Sequence, residues 1–78
     1  MSDTKERVIK VTAELLKLDE SSIKDESRFV EDLGAESIQS IELVAAFEEE
    51  FDIEMDEDKA LEIQNVSDAV DFIANYLD

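Results

Sequence analysis

The chain is 78 residues long, with 23 acidic against 7 basic side chains, a net charge of −16, and no cysteine, histidine or proline. That inventory excludes disulfide staples and thiolate metal sites, removes the commonest general base and the strongest ordinary nucleophile, and is opposite in sign to a nucleic-acid-binding footprint. A single domain over residues 1–78 is expected, near the size at which one hydrophobic core only just offsets the entropy of folding, and an enzyme acting alone is not expected.

The charge is unevenly spread. Residues 1–28 hold seven acids and six bases, whereas residues 29–78 hold sixteen acids and the single base Lys59. Such a field suits steering towards basic partners, and plain solubility explains it equally well. The longest uninterrupted apolar run, residues 43–47, is too short to span a bilayer, and neither a signal-peptide core nor an Arg-rich presequence opens the chain. The expectation is a soluble, cytoplasmic monomer with no membrane insertion.

In chain order, a first helix is expected to open near Ser2, Asp3 and Thr4, whose side chains can cap it. Val8, Ile9, Val11, Thr12, Leu15 and Leu16 recur at helical spacing and form its buried face. The helix should stop around residues 16–18, with Lys17 in the last turn, where a cation favours the dipole. Residues 19–35 then form a connection longer than compact domains usually carry, with Ile23, Phe29, Val30 and Leu33 as apolar anchors and a helical turn possible after Ser27.

A second helix should run from residue 36 or 37 to residue 50. Gly34 ahead of it can take a positive φ and turn the chain sharply, and Ser37 is placed to open or cap the helix. At about 100° per residue, Leu43, Val44, Phe47 and Phe51 share one core arc. Ile38, Ile41 and Ala45 fall outside it, on a second apolar arc flanked by Glu42, Glu48 and Glu49. A small apolar strip rimmed by acid beside a helix-opening serine has the character of a docking surface.

Residues 52–58 are strongly acidic, with Ile53 and Met55 as anchors, and Asp56 or Glu57 can open a short third helix reaching Glu62, with Ile63 packed below. The alternation Asp52, Glu54, Asp56, Asp58 fails the EF-hand pattern, because Glu57 stands where glycine is required and Ile63 where the last glutamate is required. A final helix is capped by Asn65, with Asp68 at its third position and an apolar face of Val66, Ala69, Val70, Ile73, Ala74 and Leu77, together with Phe72 and Tyr76. The fold class is therefore all-α: a small bundle of three main helices plus one short helix, with a long loop between the first two.

The run Ser27-Arg28-Phe29-Val30-Glu31-Asp32-Leu33-Gly34-Ala35-Glu36-Ser37-Ile38, continued through Ile41-Glu42-Leu43 to Phe47-Glu48-Glu49-Glu50-Phe51-Asp52-Ile53, resembles the acyl carrier protein family. The match extends through residues 66–73. In that family an Asp-Ser-Leu motif opens the second helix, and its serine carries 4′-phosphopantetheine. The resemblance implies that Ser37 holds this group, placed there by a phosphopantetheinyl transferase using Mg²⁺ and coenzyme A. It further implies an acyl carrier for fatty acid, polyketide or related biosynthesis, with cargo held as thioesters on the arm's thiol. By position it implies docking to basic patches of synthase and acyl-transferring enzymes through Glu36, Ile38, Ile41, Glu42, Ala45, Glu48 and Glu49. It also implies an acyl chain sheltered within the bundle, for which Leu43, Phe47, Ile53, Leu61 and Ile63 are plausible lining and equally plausible core. Glu36 replaces the usual aspartate, Ile38 the usual leucine, and Asp56 a common proline. The alternative is a noncovalent acidic interaction module descended from a carrier. The two part at Ser37, whose hydroxyl only a carrier requires.

Overall fold

The computed structural model describes residues 3–77. Four α-helices make up the bundle: α1 (Asp3–Leu16), α2 (Ser37–Phe51), α3 (Glu57–Ala60) and α4 (Val66–Leu77), with a 3-10 turn at Glu20–Ser22 inside the long first connection. Ser2, expected among the caps of α1, lies outside the described residues. α1 packs against both α2 and α4. Its buried residues are Val8, Val11, Thr12 and Ala13, and the Thr12 hydroxyl donates to the Val8 carbonyl at 2.8 Å, so a polar group enters the core already satisfied. Ile9, Leu15 and Leu16 pack half-buried around it.

Arg7 joins α1 to the end of α2. Its guanidinium lies 4.4 Å from the Phe51 ring centroid, and it donates to the Glu50 carboxylate at 2.8 Å and to the Glu50 carbonyl at 2.6 Å. A cation over a buried aromatic while bonding a helix C-terminus matches both the ring quadrupole and the helix dipole.

Lys17 is not in the last turn of α1. It stands just past it with φ 61, and the Leu18 N–H returns to the Ala13 carbonyl at 2.9 Å. Asp52 ends α2 in the same way, with φ 55 and the Ile53 N–H bonded to the Glu48 carbonyl at 3.1 Å. Both helices close with a left-handed residue that is not glycine, a conformation costing an L-residue roughly 1–2 kcal/mol.

The long connection is fixed by backbone bonds to the start of α4. Phe29 N–H donates to the Gln64 carbonyl, Val66 N–H to the Ser27 carbonyl and Ser67 N–H to the Asp25 carbonyl, all at 2.9–3.0 Å. Ile23 and Phe29 are buried anchors as expected, and Leu33 is half-buried. Val30 is not an anchor; it is 59% exposed, because the turn that buries Phe29 points its neighbour outward.

α3 is shorter than expected. Asp56 caps it through the N–H groups of Asp58 and Lys59, but after Ala60 the bonds tighten to the three-residue spacing of Glu62 to Lys59 and Ile63 to Ala60, which ends the helix. Asn65 caps α4 through the Asp68 N–H at 2.8 Å. Val66, Ala69 and Ile73 form its buried stripe, while Tyr76 and Leu77, near the end of the helix, are 39% and 45% exposed.

Candidate functional site at the start of the second helix

A tight turn sets the start of α2. The Arg28 carbonyl accepts the N–H groups of Asp32 and Leu33, both at 2.9 Å, while the Asp32 carboxylate accepts the Arg28 N–H at 2.9 Å and its Nε at 3.3 Å. These bonds, the backbone N–H first, hold the Asp32 carboxyl below its ordinary range, and the Asp32 hydrogen bond raises the Arg28 guanidinium in turn. Gly34 follows with φ +75, where a side chain would be strained, and the Ala35 N–H returns to the Phe29 carbonyl at 2.8 Å. Phe29 and Ala35 are both buried, so this turn is seated on the core.

Glu36 is extended and occupies the cap position; its N–H donates to Gln39 Oε1 at 2.9 Å, and its carbonyl accepts the first helical bond, from the Ser40 N–H at 2.9 Å. Ser37 is therefore the first helical residue and not the cap. Its side chain is exposed, and its hydroxyl makes no hydrogen bond among the described residues. The N–H groups of Ser37 and Ile38 have no acceptor there either. Free donors at the positive end of a 15-residue helix favour a phosphate ester on that oxygen, and nothing in the fold competes for it. The site fits 4′-phosphopantetheine. The capping role of Gln39, three residues beyond Glu36, was legible as a spacing but was not read from the sequence.

The two arcs of α2 separate as their angles require. Leu43, Val44, Phe47 and Phe51 are buried, whereas Ile38 is 64% and Ile41 50% exposed, with Ala45, Glu42 and Glu49 exposed beside them. Glu36 is exposed at the same end as Ser37. Glu48 differs from its neighbours: it is half-buried, and Oε2 accepts the Met55 N–H at 2.8 Å.

Beneath this face lies a cavity of about 400 Å³ between the Phe29 turn, α2, α3 and α4. Of the residues equally plausible as lining or core, Leu43, Phe47, Leu61 and Ile63 line it; Ile53 does not, since Met55 takes the inward position two residues later. Arg28, Glu31, Ser40 and Gln64 supply polar lining. Met55, Ala60 and Ala69 also line it; Met55 and Ala69 stand out in the sequence as apolar positions, but only the packing of α3 and α4 turns them towards this space. Among the described residues, no group of three or more carboxylates converges to hold a metal ion, and no helix is long and apolar enough to cross a membrane.

Comparison with known proteins agrees with this geometry. The family model described as the phosphopantetheine attachment site matches residues 6–73. An acyl carrier protein of Phenylobacterium zucineum is 51% identical over 77 residues, covering 99% of this chain and 98% of the relative. An acyl carrier protein of Caulobacter vibrioides is 52% identical over 73 residues, covering 94% of each. These relatives are carriers and not catalysts. The chain belongs to the acyl carrier protein family, whose phosphopantetheine-binding domain carries covalently attached 4′-phosphopantetheine.

Proposed function

We propose that the Ser37 hydroxyl is the attachment point and that residues 1–78 act as one carrier domain delivering acyl groups to enzymes of fatty acid, polyketide or related biosynthesis. The observation that carries the reading is the exposed, unbonded hydroxyl at the first position of α2, beside two free backbone donors. A phosphopantetheinyl transferase supplies the base and the Mg²⁺ site; this chain supplies the oxygen and the helix end that receives the phosphate. Once bound, the group provides the thiol that a cysteine-free chain lacks, and acyl cargo is held on it as a thioester.

Partner enzymes meet the exposed face of α2. Ile38, Ile41 and Ala45 give a small apolar contact, while Glu36, Glu42, Glu48 and Glu49 attract basic side chains. Contacts of this kind associate fast and weaken with salt, which suits a carrier that must leave each partner. The cavity beneath is large enough to shelter part of an apolar acyl chain.

The test is Ser37→Ala, incubated with coenzyme A, Mg²⁺ and a broad-specificity transferase and weighed intact. The wild type gains one phosphopantetheinyl group and the variant none. Because the hydroxyl caps nothing, the variant keeps the wild-type melting temperature, so the loss is chemical and not structural. Modification of the variant at the wild-type rate would refute the assignment.

A further inference from the structure

Glu48 belongs to two places at once. It lies on α2 between the angular positions of Ser37 and Ile41, at the edge of the docking face. Yet its carboxylate accepts the Met55 N–H at 2.8 Å, and Met55 is buried in the cavity wall. The next N–H, of Asp56, donates to the Tyr76 hydroxyl at 2.9 Å, and the Asp56 side chain caps α3, which contributes Ala60 to the same wall. The segment entering α3 thus hangs on side-chain acceptors, and only the one from Glu48 carries a negative charge on the face that basic partners approach.

We propose that Glu48 is a positioning residue that couples the outer face of α2 to the cavity: its carboxylate holds the Met55 N–H, and a partner cation that draws the carboxylate outward releases that segment and opens the wall. The bond and the ion pair compete for one side chain. A charged acceptor makes a strong hydrogen bond, so its withdrawal leaves a part-buried donor unpaired. This inference rests on the reading of the α2 face as a docking surface.

The test is backbone amide exchange in the unmodified full chain, followed at Met55, with Ile73 in the middle of α4 reporting global opening. Glu48→Ala is expected to speed Met55 exchange on the order of tenfold while leaving Ile73 unchanged. Glu48→Gln, which keeps an acceptor oxygen, restores slow exchange, and Glu49→Ala, which removes a neighbouring charge from the same face, leaves Met55 as in the wild type. Decalysine, used as a model cation, is expected to speed Met55 exchange in the wild type and not in Glu48→Gln. Equal acceleration by Glu49→Ala, or Met55 exchange unmoved by saturating decalysine, would overturn the coupling. None of these measurements uses the attached group, so they stand or fall separately from attachment at Ser37.

Discussion

The connection from α1 to α2 and the segment from α2 to α4 differ in what holds them. The first is tied by backbone bonds from residues 25–29 to residues 64–67, by the buried ring of Phe29, and by Arg28 paired with Glu31 at 2.9 Å and Asp32 at 3.3 Å. The second hangs on the side chains of Glu48, Tyr76 and Asp56, and residues 52–62 contain six acids against Lys59 alone. Every ion pair among the described residues uses a base from the first 28 positions. The lesson is a division of work. The first connection is a fixed platform that presents Ser37, and the second is an adjustable wall for the space below.

Replacing Phe29 with alanine should have the largest effect. It removes the ring that seats the platform, at a cost of about 3–5 kcal/mol read by chemical denaturation, and it slows modification of Ser37 as well. A cost below about 1 kcal/mol would show that the turn stands without its anchor.

Adding millimolar Mg²⁺ or salt should act mainly on the acidic second segment. Screening the acids of the second half is expected to raise the melting temperature by about 5 °C, the shift that roughly 1 kcal/mol gives in a domain this small. Amide protection should increase more over residues 52–62 than over 25–35. An unchanged melting temperature would mean that repulsion does not limit stability.

Tyr76→Phe removes the acceptor for the Asp56 N–H and leaves the ring contact with Phe72, whose centroid lies 5.2 Å away. The expected loss is about 1 kcal/mol, with faster exchange confined to residues 55–60. A proline at residue 56 would have no N–H for Tyr76, so this tie requires a residue other than proline there.

The smallest expected effect lies in acid. Asp32 is held below its ordinary pKa by Arg28, so its contribution is present above the unfolded carboxylate value and is lost as pH falls through the lower folded one. Asp32→Asn should flatten that part of the stability–pH curve and leave neutral-pH stability nearly unchanged, since the pair is exposed.

Much of this was legible because it is local. The four helices, the caps Asn65 and Asp56, and the two arcs of α2 follow from spacing along one element, and the motif around Ser37 carried the family. What escaped depends on distant partners. Ser37 was a natural cap candidate until the turn from Arg28 to Ala35 put Glu36 in that position. Lys17 counted as a last-turn cation until the chain direction after Leu16 required a left-handed residue. Val30 and Phe29 are equally apolar in sequence, and only the turn decides which faces in. Glu48 reads as one more surface glutamate because its bond to Met55 spans seven residues and a helix end.

Of the two serines on α2, Ser37 has the free hydroxyl proposed to take the group, while Ser40, one turn on, has its hydroxyl directed at the Glu36 carbonyl at 3.4 Å and lines the cavity. The direct measurement is fragmentation mass spectrometry of the transferase-modified wild type, reading the added mass residue by residue along the whole chain. The whole phosphopantetheinyl mass is expected on Ser37. Mass on Ser40, or on any serine outside α2, would contradict the assignment.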